Sequence, residues 1–146
     1  MDNETMMQFF EWYMPADGLH WDRVAVKAEE LKRIGVTAVW LPPAYKGAEG
    51  IQDVGYGAYD LYDLGEFNQK ETVPTKYGTK KEYLDAVKAL QDKGIDVYAD
   101  VVLNYKKGAD EAELIPAMDF NASPRNQMIG DKKVVLGITK FTFPGR

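Results

Sequence analysis

The sequence predicts an α/β fold built around a parallel sheet. Short apolar runs rich in β-branched residues alternate with amphipathic stretches of helical period between residues 5 and 103. An internal repeat supports this, because the pattern Leu-x-x-x-Gly-(Val/Ile) occurs over residues 31–36 and again over residues 90–95. Strands joined by helices form right-handed crossovers, so the carboxyl ends of the strands are expected on one face, where such folds bind ligands.

The first strand is expected over residues 5–13, TMMQFFEWY, because a short and nearly continuous apolar run is typical of a strand buried on both faces. Turn residues follow, and WDRVAVKAEELKRIG predicts a helix over residues 21–35. Val24, Ala28 and Leu31 form its apolar stripe, and the glycine at its end favours helix termination.

The second strand is expected over residues 36–41, VTAVWL, and ends at Pro42 and Pro43, since proline cannot donate to a ladder. The connection over residues 44–78 is much longer than an ordinary loop of about 2 to 6 residues, and such loops are often functional. Its segment GYGAYDLYD combines tyrosines with acids, which suits sugars, because rings stack on a pyranose and carboxylates accept hydroxyl protons. Packing of the loop by its own side chains is the alternative interpretation.

The second helix is predicted to begin at Thr79, which forms a capping box with Glu82, and to end at Gly94. The third strand is expected over residues 95–103. Beyond residue 104 the prolines and alternating stretches such as KFTF predict irregular structure with short antiparallel strands. This change of pattern near residue 105 is a candidate subdomain boundary.

Composition excludes several classes of function. The net charge of -5 and the pI near 4.9 make nucleic acid and anionic membranes unfavourable partners. The chain has no cysteine, so it has no disulfide framework and no cysteine-based zinc site. Because the first ten residues do not form a secretory signal and no apolar stretch is long enough to span a bilayer, a cytoplasmic location is expected, with a secreted mature form as the alternative.

Individual polar residues give weaker indications. The single histidine, His20, has no second histidine with which to form a metal cluster, so a structural role is expected for it. The loop acids Asp53, Asp60, Asp63 and Glu66 are candidates for an acid–base pair in glycoside cleavage, although spacing within a loop fixes no separation. The glycine-rich phosphate loop of nucleotide-binding proteins is absent from the sequence.

The order and spacing of several blocks carry a resemblance to a known family. MMQFFEWYMPADGLHW, GVTAVWLPPAYKG, DVGYGAYDLYDLGEFNQK, TKYGTK and DVVLN resemble the N-terminal part of bacterial α-amylases of glycoside hydrolase family 13, of the liquefying and intracellular type. The match continues to FPGR at the end of the chain. The resemblance implies that residues 1–104 form the first β/α units of a (β/α)8 barrel, strands one to three, and that residues 105–146 begin the inserted domain B.

The resemblance also implies roles for individual residues. Tyr56 would be a platform that stacks on the sugar at the cleavage subsite, and Trp12 and Gln8 would lie near the glucan groove. Asp100 would support the catalytic centre. Asn104 would be one ligand of a structural calcium ion, which prefers six to eight oxygens, although on its own an asparagine there favours a turn in which it bonds its own backbone.

The chain departs from the family at Tyr105, where the family motif has a histidine that bonds a hydroxyl of the sugar. The family's catalytic carboxylates lie on later strands, so the resemblance implies that none is present in residues 1–146. The implied function is retaining endo-hydrolysis of α-1,4 links in starch, glycogen and maltooligosaccharides, with this chain supplying the platform. The alternative is a noncatalytic glucan-binding or structural fragment, whose open sheet edges favour self-association.

Overall fold

The computed structural model describes residues 3–146, and up to residue 99 strands and helices alternate except for two short strands within the long connection before the second helix. In chain order they are β1 (Met6–Gln8), α1 (His20–Arg33), β2 (Ala38–Leu41), β3 (Lys46–Gly47), β4 (Ala58–Asp60), α2 (Lys80–Asp92), β5 (Asp96–Ala99), β6 (Glu111–Phe120) and β7 (Met128–Lys140). Of the helices formed by residues 3–146, none has the length and apolar character needed to cross a membrane.

The predicted parallel sheet is confirmed. Its strand order is β1-β2-β5, and both pairings are parallel. Met6 lies beside Ala38 in the first pairing, and Ala38 lies beside Asp96 in the second. Because the strands run in one direction, the segments that follow β1 and β5 leave the sheet at the same edge.

The internal repeat corresponds to two equivalent helix ends. Val36 N donates to Leu31 O at 3.0 Å, and Ile95 N donates to Leu90 O at 3.1 Å. The intervening glycines have φ of 91° and 65°, a left-handed conformation that favours glycine. The repeated leucine is buried in both helices, so each unit closes its helix and places the next strand with the same local contacts.

The core lies between the sheet and the two helices. Val24, Ala28 and Leu31 of α1 are buried, as the predicted stripe requires, and Leu90 of α2 is fully buried beside them. Full burial of one such side chain contributes roughly 1.5–3 kcal/mol, so this cluster supplies much of the driving force for docking the helices.

The capping box at the start of α2 is confirmed. The Thr79 side chain accepts from Glu82 N, and Thr79 N donates to Glu82 Oε2 at 2.7 Å. We expect Thr79→Ala to lower the free energy of unfolding by about 1 kcal/mol, because an amide at the helix start loses its acceptor. Urea denaturation measures this, with Thr79→Ser as the control that keeps the hydroxyl. Equal stability of the alanine and serine variants would contradict it.

The expectation for the first strand was wrong in length and in burial. β1 covers Met6–Gln8, and its side chains are exposed, because among the described residues it pairs with β2 on one side only. Beyond β1, Phe9 N still donates to Trp40 O of β2 at 3.0 Å. Phe9 packs against the core, and Phe10 meets the Trp40 ring edge-on with centroids 5.3 Å apart.

The third strand also differs from its expected range over residues 95–103. β5 ends at Ala99, and Tyr98 within it is 53% exposed, since β5 is the other outer strand of the sheet. Backbone bonds to the sheet continue one residue further, where Asp100 N donates to Leu41 O at 3.2 Å. Val102 N then donates to the Tyr45 hydroxyl at 3.0 Å, so this segment is fixed by a side chain rather than by a ladder.

The stretch beyond residue 104 is more regular than predicted. β6 and β7 form a long antiparallel hairpin in which Leu114 faces Leu136 and Pro116 faces Val134. A proline is compatible with a strand whose N–H side carries no ladder bond, so its presence did not exclude this structure. The hairpin residues 109–143 form one compact unit, and residues 3–108 with 144–146 form another. The predicted boundary between residues 104 and 105 lies just before this division, and the last three residues pack with the first unit.

Candidate functional site

Segments that follow β1 and β5 meet a loop side chain at the carboxyl edge of the sheet. Trp12, after β1, stacks on Tyr56 with ring centroids 6.0 Å apart and an interplanar angle of 8°. The Tyr56 hydroxyl donates to Asp100 Oδ2, after β5, at 2.7 Å. These rings line a cavity of about 420 Å³, to which Tyr105 and Lys107 also contribute, and which we call the aromatic groove.

The hydroxyl of Tyr56 is held as a hydrogen-bond donor. Burial and then the bond to Asp100 raise the pKa of Tyr56 well above its usual value. The phenol therefore stays protonated at neutral pH, and the ring is fixed in the plane that stacks with Trp12. The apolar face of an aromatic ring in the wall of a groove is suited to the apolar face of a pyranose.

Tyr105 is tied to the same loop by its hydroxyl. Tyr105 Oη donates to the backbone oxygen of Tyr56 at 2.7 Å, and Lys107 N donates to Ala58 O at 2.8 Å. The segment after β5 is thereby attached to the segment that carries Tyr56. The departure from the family motif thus places a phenol where it bonds the protein backbone, while its ring, 50% exposed, lines the aromatic groove.

The remaining predicted site residues lie in different positions. Gln8 borders an adjacent cavity of about 220 Å³ that shares Trp12 and Tyr56 with the aromatic groove. Its Nε2 donates to Phe10 O at 3.0 Å, so the amide supports the segment that leads to Trp12. Asn104 is exposed and does not line either cavity. The structure therefore brings together Trp12, Tyr56, Tyr105 and Asp100, with Gln8 beside them.

The Asp53 carboxylate holds the turn that forms part of the wall of the aromatic groove. Its Oδ1 accepts from Gly55 N at 2.8 Å and from Gly57 N at 3.1 Å, and its Oδ2 accepts from Glu49 N at 3.2 Å. A Cβ at Gly47 or Gly57 would lie within 2.3 Å of this carboxyl group. Glycine at both positions therefore allows the carboxylate to sit inside the turn that presents Tyr56.

The other loop acids are also engaged with the protein. Asp60 is fully buried and pairs with Arg146 Nε at 2.9 Å, and Glu66 pairs with Lys80 at 2.9 Å. Asp63 is fully buried and accepts bonds from the backbone of the turn that follows it. This arrangement favours the packing interpretation of the loop over an acid–base pair, because each carboxylate has a structural partner.

Sequence reasoning missed the charged residues that line the aromatic groove. Lys107 Nζ and Glu49 Oε1 form an ion pair at 2.7 Å, and both residues line the cavity together with Gln52. The sequence shows Lys107 only as part of a short basic run. Its partner lies 58 residues away, so the pairing has no local signal in the sequence.

The residues present do not by themselves form a calcium site. Within residues 3–146, no group of at least three His, Cys, Asp or Glu side chains is placed to hold a metal ion. Asn104 offers one amide oxygen, whereas calcium takes six to eight oxygen ligands.

The sequence of the chain is similar to those of known proteins. The family model described as "Alpha amylase, catalytic domain" matches residues 19–122. The chain is 56% identical over 144 residues to a glucan 1,4-alpha-maltohexaosidase of Bacillus sp. (strain 707), covering 99% of this chain and 28% of that protein. It is 57% identical to an alpha-amylase of Geobacillus stearothermophilus, covering 99% of this chain and 26% of that protein. The chain thus spans roughly a quarter of the length of these relatives.

A solved structure shows the same fold. Truncated alternansucrase from Leuconostoc mesenteroides matches with a TM-score of 0.73 and 25% identity, over 90% of this chain and 13% of that protein. The parallel strands and their helices are consistent with the first units of the barrel found in this group of proteins.

Proposed function

The chain belongs to the alpha-amylase catalytic-domain family, and on that premise we propose that it is part of an enzyme that hydrolyses internal α-1,4 links of starch and glycogen with retention. The observation that carries the proposal is the stacked Trp12–Tyr56 pair, which lines the aromatic groove at the carboxyl edge of the sheet. Ligand sites of barrel enzymes collect at this edge. The similarity to a maltohexaosidase and an alpha-amylase supports α-1,4-glucans, including maltooligosaccharides, as substrates.

In this proposal the chain binds and orients the glucan. Trp12 is 58% exposed, so its ring is available to the apolar face of a glucose unit. Tyr56 provides the second ring, and Asp100 keeps it in place through the 2.7 Å hydrogen bond. Tyr105 contributes its ring to the groove, while its hydroxyl remains bonded to the backbone of Tyr56.

The catalytic carboxylates are proposed to come from the part of the enzyme that corresponds to the unmatched length of the relatives. Calcium binding through Asn104 belongs to the same proposal, with its other ligands outside residues 3–146. The assignment of residues 105–146 to an inserted domain, the cytoplasmic location and self-association through open sheet edges stay predictions. The alternative function, a noncatalytic glucan-binding or structural fragment, has the same groove and would act without the catalytic part of the enzyme.

Binding of maltoheptaose to the 146-residue chain, measured by isothermal titration calorimetry, tests the proposed groove. We expect Trp12→Ala to weaken binding at least about tenfold, because a tenfold change corresponds to about 1.4 kcal/mol and loss of a stacking ring exceeds this. The matched control is Tyr13→Ala, which removes an adjacent, more exposed ring that does not line the groove. Equal weakening in both variants, or no binding by the unmodified chain, would contradict the proposal.

Turnover of a blocked maltooligosaccharide by a sample of confirmed intact mass tests whether residues 1–146 contain the catalytic carboxylates. No turnover by the 146-residue chain is expected, because its loop acids are engaged in holding the loop. Turnover above a blank without protein would mean that carboxylates within the chain perform the reaction, and the assignment of roles would be wrong.

A further inference from the structure

A lysine ammonium is enclosed in the long loop that carries Tyr56. Lys46, on β3, is fully buried. Its Nζ donates to the backbone oxygens of Phe67 at 3.0 Å, Thr72 at 2.7 Å and Val73 at 2.7 Å. The carboxylate of Asp63, also fully buried, lies 3.5 Å from the same nitrogen. We call this set of oxygens the carbonyl cage.

The geometry of the carbonyl cage matches an ammonium ion. An ammonium group has three N–H donors and no lone pair, so each of these carbonyl groups can accept one hydrogen. A neutral amine would turn its lone pair toward a carbonyl oxygen and leave that acceptor unpaired. Burial lowers the pKa of Lys46, while the negative charges of Asp63 and Asp60 oppose this shift.

The carbonyl cage joins two distant parts of the loop. Lys46 lies on the strand that enters the loop, whereas its acceptors lie 21 to 27 residues further along the chain. If the two segments separated, the buried Lys46 ammonium would lose its acceptors, and an unpaired buried charge is strongly destabilising. The contact therefore fixes both segments relative to one another. The role resembles that of a bound metal ion, which also gathers backbone oxygens from separate segments.

Both segments continue directly to the aromatic groove. Gly47, next to Lys46, lies against the Asp53 carboxylate, which holds the turn around Tyr56. From the other side, the Tyr77 hydroxyl donates to Val54 O at 2.9 Å. Gly47 on one side and the Tyr77 side chain on the other are therefore in contact with the turn that presents Tyr56.

We propose that Lys46 is a built-in cation and a positioning residue, whose ammonium holds the loop in the conformation that presents Tyr56 to the glucan. The positioning of the glucan platform rests on the function proposed above. The need for a cation in the carbonyl cage does not rest on it, and the two parts are separated by experiment.

Chemical rescue tests the need for a cation. Lys46→Ala removes the atoms from Cγ to Nζ, which n-propylammonium replaces. We expect the variant to melt roughly 10 °C or more below the unmodified chain, because a buried charge that pairs with Asp63 is lost. Added n-propylammonium is expected to raise its melting temperature in a concentration-dependent manner, as a specific ligand does. Tetramethylammonium at equal ionic strength, which has no N–H donor, is expected to leave it unchanged.

The matched control is Lys80→Ala, which removes an exposed lysine that pairs with Glu66 of the same loop. We expect this variant to melt close to the unmodified chain and to show no difference between the two ions. Equal effects of both ions on Lys46→Ala, or a melting temperature equal to that of Lys80→Ala, would overturn the proposal.

If Lys46→Ala does not fold in either ion, a measurement on the unmodified chain tests whether Lys46 carries a charge. Nitrogen NMR of lysine side chains is expected to show a protonated ammonium at neutral pH that exchanges its hydrogens slowly. The signal is assigned by its loss in Lys46→Arg and its retention in Lys80→Arg. A neutral amine at Lys46, or exchange as fast as that of Lys80, would overturn the built-in cation.

Maltoheptaose titration of Lys46→Ala tests the positioning role. Affinity is expected to fall at least tenfold and to recover in n-propylammonium but not in tetramethylammonium. Unchanged affinity in a variant whose melting temperature responds to n-propylammonium would overturn the positioning role of Lys46. The need for a cation in the carbonyl cage would still stand. Absence of binding by the unmodified chain would instead refute the proposed function, and the melting experiments would still decide the need for a cation.

Discussion

Replacing Asp63 by alanine is expected to lower the free energy of unfolding by about 3–5 kcal/mol, the range for removing one partner of a buried ion pair. Asp63 Oδ1 accepts from Gly65 N and Glu66 N, each at 2.9 Å, and Oδ2 accepts from Gln69 Nε2 at 3.0 Å. The same carboxylate lies 3.5 Å from Lys46 Nζ. Burial raises the pKa of Asp63, but these interactions outweigh it and keep the pKa below its usual value. The side chain is therefore a charged carboxylate, and Asp63→Ala removes a charged hydrogen-bond acceptor.

Urea denaturation followed by circular dichroism measures the effect of Asp63→Ala. Small domains are stable by about 5–15 kcal/mol, so a loss of this size removes most of the stability of a domain at the lower end of that range and lowers the urea midpoint strongly. The control is Asp85→Ala, which removes an exposed carboxylate paired with Lys81 at 2.6 Å. Such a surface pair contributes about 0–1 kcal/mol. A loss in Asp63→Ala no larger than that in Asp85→Ala would show that the buried carboxylate does not hold the loop.

The regular elements of the first unit were predictable because their signals are local. The capping box at Thr79 and the repeated glycine after each helix specify helix ends through contacts a few residues apart. The parallel sheet followed from the alternation of strands and helices. The burial of β1 was predicted wrongly, because the composition of a strand does not reveal whether a neighbour covers it.

The candidate site was predictable only in part. Trp12, Tyr56 and Asp100 were identified through the family resemblance, and the structure brings them together. The bond from Tyr105 to the backbone oxygen of Tyr56 spans 49 residues and depends on the direction of one carbonyl group, which leaves no pattern in the sequence. The burial of Lys46 had no signal either, because a lysine is normally expected at the surface.

The stability of the chain is expected to fall by about 2 kcal/mol between pH 7 and pH 5, and by about 3 kcal/mol down to pH 4, through His20 alone. His20 is buried among the rings of Phe9, Trp21 and Tyr77, with centroids 5.4 to 5.7 Å away. Burial lowers the pKa of His20 from 6.5 to about 4, and Arg23 acts in the same direction. The Phe9 backbone and the charge of Asp17 oppose the shift only in part.

The sign of this dependence follows from the two protonation states. In the unfolded chain His20 takes up a proton near pH 6.5, whereas in the folded chain it stays neutral down to about pH 4. The contribution of His20 is therefore fully present above pH 6.5 and is lost as the pH falls through this window. Because His20 is the only histidine in the sequence, no other imidazole contributes.

Denaturation of the unmodified chain and of His20→Phe at pH 7 and pH 5 measures the effect. Phenylalanine keeps a ring among the aromatic neighbours and does not titrate, so we expect the stability of this variant to change by less than about 0.5 kcal/mol over the same interval. The pKa of Asp17 is held at about 2 by its pairing with Arg23, so loss of that pair lies below the interval. An equal pH dependence in both proteins would mean that other groups cause it and that His20 is not held neutral by burial.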